Sequence, residues 1–278
     1  MIGERSGTAC LTGREQLVAD LRSLGLQPGQ DLLIHSSLRR IGPVDGGAAT
    51  LLAAIREVAG PAATLIVPAQ TAWNSLTSRT SRAAMAPFDQ GSYAWDVAAM
   101  PAFDPAHTPS AGMGAFAEHI RTRTEARRSA HPQSSFAALG PRAATAMTVH
   151  DLDCHLGERS PLRWLYDEGG AILLLGVGYS TCTAFHLAEY RRKSDQAMRR
   201  YDCVAVSGGI PAPHQFTDIV LDDSDFELIG DALGAATWLD SAAAPRYGYV
   251  GMAECTLLPM STAVDFALSW MEEHRVMT

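Results

Sequence analysis

Three short apolar runs constrain the fold of this chain most: DLLIHSSL at 31–38, TLIVPAQ at 64–70 and AILLLG at 171–176. Each reads as a short buried strand. The first turns polar at His35, the second stops at Pro68, and the third runs into glycines. Helical segments precede and separate them. Thr12-Gly-Arg-Glu15 reads as a capping box, followed by an apolar face of Leu17, Val18, Leu21 and Leu24 with Gly25 as C-cap. Residues 46–60 read as an alanine-rich helix ending in Gly-Pro. Helix, strand, helix, strand is the rhythm of an α/β protein with parallel pairing.

Residues 71–112 are rich in Trp, Asn, Pro, Asp, Gly and Ser and lack periodicity, so they are expected to form an irregular loop insertion of functional kind, a lid or binding loop. Further on, the pattern predicts helices over 114–123 and 160–170 and near 225–238. It also predicts strands near 203–206 and 247–258, and a closing helix opened by Thr262-x-x-Asp265. With no repeat, low-complexity tract or linker, residues 1–278 are expected to form a single three-layer α/β/α sandwich around a largely parallel or mixed sheet.

Function classes narrow next. Among 278 residues the formal net charge is −8 and no basic stripe occurs, which argues against nucleic acid as a partner. No apolar run approaches the roughly 18 residues of a membrane span, and residues 1–10 lack the apolar stretch of a signal peptide. A cytoplasmic protein, monomeric or homodimeric, is expected. The cysteines at 10, 154, 182, 203 and 255 are scattered without a C-x-x-C pair, so neither a disulfide framework nor a cysteine zinc site is indicated.

The chemistry-bearing stretch is STCTAFHLAEYRRK at 180–193, after the glycines that end the third apolar run. Ser180, Thr181 and Thr183 are positioned to cap a helix. On that helix His186 and Glu189 are i, i+3 neighbours, with Cβ atoms roughly 5–6 Å apart. A carboxylate that close fixes the imidazole tautomer and leaves the other ring nitrogen free to take a proton. The same spacing is compatible with an ordinary surface helix, because Arg192 and Lys193 are also within reach of Glu189.

Four ordered segments carry a resemblance: IHSSLRRIG (34–42), RRSAHPQSSFAALG (127–140), GERSPLRWLYDEGGAILLLGVG (157–178) and TAFHLAEYRR (183–192). Together they resemble the aminoglycoside 3-N-acetyltransferases, the antibiotic acetyltransferases outside the GNAT fold, with a weaker echo in VDFALSWMEEHR near the end. The resemblance implies acetyl transfer from acetyl-CoA to the 3-amino group of a 2-deoxystreptamine ring. It implies His186 as catalytic base and Glu189 as its orienting carboxylate. On the coenzyme A side it implies Ser36 and Ser37, with His131, Ser135 and Phe136 from the second segment. His131 has an alternative role in fixing a His-Pro turn, and Arg127 and Arg128 are either phosphate ligands or solvated charges. For a polycationic acceptor the candidates are Asn74, Asp104 and Ser180, with Asp89, Asp96, Asp151, Asp153 and Glu158 as further acids. Ser180 stands where many members of that family carry Asp or Asn, which puts the acceptor range in question. Cys182 is expected to pack rather than react.

Three rival readings remain. The same scaffold could acetylate a non-antibiotic amine. VHDLDCHLGE at 149–158 could hold zinc for a hydrolase, although it matches no familiar ligand spacing. A non-catalytic binding protein is the third, and retention of both His186 and Glu189 argues against it.

Overall fold

The computed structural model describes residues 11–71, 74–75, 100–193 and 196–275. Asp89, Asp96, Cys10 and most of the expected loop insertion lie outside the described residues. The three apolar runs form strands β1 (Leu32–Ser36), β2 (Leu65–Pro68) and β5 (Ala171–Leu175), with β1 parallel to both of the others. Antiparallel strands flank this trio. On one side lie β4 (Phe136–Leu139) and then β3 (Arg127–Arg128); on the other lie β9 (Ala253–Pro259) and then β8 (Arg246–Val250). The order β3-β4-β2-β1-β5-β9-β8 makes one mixed seven-stranded sheet.

Side chains alternate across a strand with period two, so a strand covered on both faces must be apolar at every position. That is what the runs supply. Leu32 and Ile34 on β1, with Leu173 and Leu175 on β5, pack against α1 (Arg14–Leu24), α3 (Gly47–Ala59) and α4 (Gly114–Arg121). Leu33, Ile172 and Leu174 point the other way. They meet α6 (Pro161–Asp167), α7 (Phe185–Arg191), α8 (Phe226–Gly234) and α9 (Met260–His274). Short helices α2 (Leu38–Ile41) and α5 (Ala143–Ala146) fill the remaining turns. The fold is α/β, with helices on both sides of the sheet.

Several local expectations change. α1 is capped by Gly13 without a side-chain bond, because Thr12 is drawn into an isolated bridge with Val44. α9 starts at Met260 behind Pro259, which leaves Thr262 inside its first turn and not at the cap. The stretch 247–258 is a hairpin, broken at Gly251, whose φ of +60° and close approach to the Ile41 carbonyl exclude a side chain. The stretch 203–206 belongs to a longer hairpin, β6 (Met198–Ser207) and β7 (Ile210–Ile219), closed by Gly208 and Gly209 at φ of +59° and +84°. Positive φ at both central residues is the tight-turn geometry that matches strand twist. Pro211 and Pro213 hide β7 in the sequence, and they are tolerated because this two-stranded sheet is all edge.

The carboxyl ends of β1, β2 and β5 point to one side of the molecule, where parallel sheets place their ligands.

Candidate active site

β5 delivers the chain to this edge, Gly176 turns it at φ +66°, and a 3₁₀ turn at Tyr179–Thr181 leads to α7. The expected capping does not occur: α7 begins behind Ala184 with no side-chain cap. Thr181 Oγ1 donates to the Gly178 carbonyl and Thr183 Oγ1 lies 3.3 Å from His35 Nε2. The Ser180 amide donates to Glu227 at 2.8 Å. The hydroxyls therefore hold the turn and leave the helix end alone. From Phe185 to Glu189 every side chain of α7 is buried, so this is an interior helix with no solvated face. Cys182 lies fully buried at its start, and burial pushes its thiol up to about 12, which suits packing and not attack.

His186 Nδ1 lies 2.5 Å from Glu189 Oε2, and the ring packs against Phe226 with centroids 4.7 Å apart. Glu189 is 2% exposed. Its other oxygen accepts from the Asp222 amide at 3.1 Å and from Arg275 Nη1. Arg192 and Lys193 are not its partners; Arg192 donates to the Arg275 carbonyl instead. A carboxylate receiving three donors this deep in the protein is compensated on every side. With Nδ1–H directed at Glu189, the lone pair of His186 is on Nε2.

His186 lines a cleft of about 300 Å³ together with His35, Ser36, Gln70, Ser180 and Asp223. Burial holds His35 down to about 4, so it is neutral at pH 7. A larger cleft of about 980 Å³ adjoins it at Val177 and carries Glu227, Asp231, Glu254 and the Tyr247 and Tyr249 rings, with Arg40 as its cation. The larger opening has no histidine in its lining; the His186–Glu189 pair opens on the smaller one.

The sequence candidates divide sharply. Ser36 and Ser180 line the cleft. Ser37 lies just behind, its amide donating to the Leu175 carbonyl. His131, Ser135 and Phe136 are fully buried and do not reach it. His131 Nε2 donates to the Leu152 carbonyl, and its Nδ1 accepts from the amides of Gln133 and Ser134, the turn-fixing role. Ser135 Oγ donates to the Ala69 carbonyl and accepts from Arg128. Arg128 spends its remaining donors on the carbonyls of Ala69 and Thr108 and stacks on Phe103, so it meets no phosphate. Asn74 is 1% exposed and clamps β6 through Val204 N and O and the Pro101 carbonyl. Asp104 organises its own turn through Ala106 and His107. Neither touches the cleft.

The 149–158 stretch is also committed elsewhere. Asp151 and Asp153 pair with Arg159, and Glu158 with Arg163 and Arg191. His155 Nδ1 lies 2.7 Å from Asp218 and its Nε2 2.8 Å from Gln133 Oε1, while His150 bridges Ser129 and the His155 carbonyl. Among the described residues no three His, Cys, Asp or Glu side chains converge as a metal would require. Through the buried His150 and His155 the stretch ties the β6–β7 hairpin to the main body.

His35, Gln70, Asp223 and Arg275 went unnoticed as candidates. His35 directly precedes the Ser36-Ser37 pair, which was a usable signal. Asp223 and Arg275 lie in ordinary charged stretches, and only the packing of α8 and α9 onto α7 brings them in.

The family model for aminoglycoside 3-N-acetyltransferase matches residues 33–272. The SPbeta prophage-derived aminoglycoside N(3')-acetyltransferase-like protein YokD of Bacillus subtilis is 33% identical over 260 residues, 92% of this chain and 91% of that protein. Its crystal structure superposes with a TM-score of 0.88 at 31% identity, covering 96% of each chain. An AAC-IIIb structure in binary complex with CoASH gives a TM-score of 0.81 at 26% identity, covering 95% of this chain and 97% of that one. AAC-VIa bound to sisomicin gives 0.79 at 29%, covering 95% and 98%. A match over that span, with the mixed sheet and helical layers in common, leaves one conclusion: this chain belongs to the aminoglycoside 3-N-acetyltransferase family.

Proposed function

We propose that His186 is the general base of an acetyl transfer from acetyl-CoA to the 3-amino group of a 2-deoxystreptamine aminoglycoside, with Glu189 orienting it. The family supplies the reaction class and acetyl-CoA as co-substrate. The single observation that carries the residue assignment is the buried 2.5 Å His186–Glu189 bond opening on a cleft at the carboxyl ends of parallel strands.

An alkylammonium cannot attack a thioester, so the acceptor first gives up its ammonium proton to solvent, and the free amine must then lose a second proton as the C–N bond forms. Nε2 of His186 takes that proton while the amine nitrogen bonds to the acetyl carbon and the C–S bond breaks. Glu189 stabilises the imidazolium so formed, and Nε2 then returns the proton to the departing thiolate. Neutral His35 places no opposing charge beside this transfer. Asp223 gives the cleft a fixed anion for the acceptor's remaining ammonium groups, with Gln70 and Ser180 as neutral polar partners. The adjoining acidic, tyrosine-lined cleft offers room for the outer rings of a polycation. Ser36 is the hydroxyl offered on the coenzyme A side.

The test is thiol release from acetyl-CoA with a panel of 2-deoxystreptamine aminoglycosides, with the product's acetyl position read by NMR. Acetylation at N3, which removes a positive charge from the drug, is expected and is consistent with antibiotic resistance. Release with simple amines but with no aminoglycoside would overturn the acceptor assignment.

A further inference from the structure

Arg275 closes the α9 helix, and all three of its guanidinium nitrogens are in use. Nη1 donates to Glu189 Oε1. Nε and Nη2 grip Asp225 at 2.7 and 2.5 Å, and Nη2 also reaches the Asp222 carbonyl at 2.7 Å. Its own carbonyl accepts from Arg192 at 2.9 Å, fastening the end of α9 to α7. One side chain thus ties together the helix that carries His186, the turn that carries Asp223 and the first residue before α8.

We propose that Arg275 is a positioning residue for acetyl transfer: it aims Glu189 at His186 and tempers the negative charge the imidazole meets. The inference rests on the assignment of His186 as base. Its physical content is twofold. Without Arg275 the Asp222 amide alone would hold Oε1, at 3.1 Å and on a turn that Arg275 itself fastens, and a fork donor anchored on Asp225 adds the restraint that keeps Oε2 on Nδ1. The groups facing the His186–Glu189 pair are His35 from β1, Asp222, Asp223 and Asp225 from the turn before α8, and Arg275 from α9. Among the described residues Arg275 is the arginine or lysine whose side chain contacts Glu189. Its removal leaves the carboxylates unopposed, favours the imidazolium, and withdraws the base at neutral pH.

The experiment compares Arg275→Gln, Arg275→Lys and His186→Ala with wild type, measuring kcat and kcat/KM by thiol release from pH 5.5 to 9. In the Gln variant the acidic limb of kcat/KM is expected to move up by about one pH unit, the lower end of the effect of a nearby charge. On the acidic side of the limb, where the base is protonated, its rate should fall about ten-fold, the cost of one pH unit. The Lys variant keeps the charge but cannot serve Glu189 and Asp225 at once, so its kcat should drop while its limb stays in place. Titration of the acceptor's own amine is common to all variants and cancels. A Gln variant with wild-type limb and kcat overturns the proposal. Should the Gln variant not fold, a Lys variant with wild-type kcat overturns it alone. Wild-type turnover in His186→Ala would instead show that the base assignment had failed.

Discussion

Replacing Glu189 with Gln tests the His186 geometry more sharply than deleting the side chain. Oε1 faces two donors, the Asp222 amide at 3.1 Å and Arg275 Nη1, whereas Oε2 faces only His186 Nδ1. An amide in this place must put its oxygen on the two-donor side, since the opposite flip sets NH₂ against an arginine and a backbone N–H. Its NH₂ then points at Nδ1, which becomes an acceptor, and the ring proton moves to Nε2. The nitrogen that should receive the amine's proton already carries one. In serine-protease triads, the analogous Asp→Asn change leaves the wrong tautomer and lowers kcat about 10⁴-fold. Here a fall of about 10³–10⁴ is expected, roughly 4–5.5 kcal/mol of barrier. Glu189→Ala leaves the tautomer free and should cost less in kcat, about 10², although it leaves Arg275 without its buried partner. Steady-state thiol release with a saturating aminoglycoside, with circular dichroism to verify folding, gives the comparison. A Gln variant within about three-fold of wild type refutes the reasoning, as does an Ala variant more damaged than Gln.

Two further outcomes follow from named groups. Burial lowers His35 to about 4 and His150 to about 3, and holds His131 well below the ordinary range. Because the unfolded chain takes up these protons first, stability is full above the unfolded value near 6.5 and is lost as pH falls below it. Each histidine contributes about 1.4 kcal/mol per pH unit until its folded value is reached; denaturant midpoints at pH 7.5, 6 and 5 should fall steadily, and equal midpoints would contradict the burial assigned to the three rings. Asp223→Asn should raise the aminoglycoside KM about ten-fold with kcat nearly unchanged, the signature of lost ground-state attraction, and an unchanged KM would remove Asp223 from the acceptor site.

The layers of the fold were legible because burial on both faces leaves a continuous apolar signature, and the runs at 31, 64 and 171 carried it directly. Edge elements were not. β7 has no such signature, since half of it faces water and two prolines interrupt it, and the β8–β9 break depends on a contact between Gly251 and Ile41 that lies far off in sequence. The His186–Glu189 bond was legible as well, because three-residue spacing on a helix is local geometry. The buried HPQSSF segment was not: His131, Ser135 and Phe136 sit in a motif whose strength comes from packing and turn-fixing bonds, and sequence alone does not distinguish a motif that holds a wall from one that faces a ligand. Arg275 was invisible for the opposite reason. Its role exists only where α9 ends against α7, and nothing local to EEHR announces it.

The central claim is that His186 takes the proton from the acceptor amine. Its most direct test is thiol release from acetyl-CoA by His186→Ala beside wild type, using an aminoglycoside that wild type acetylates at N3. The account predicts that the variant, folded and still binding acetyl-CoA, turns over at least about 10²-fold more slowly at pH 7 and regains rate as pH rises and the amine sheds its proton unaided. Equal turnover at pH 7 would contradict it.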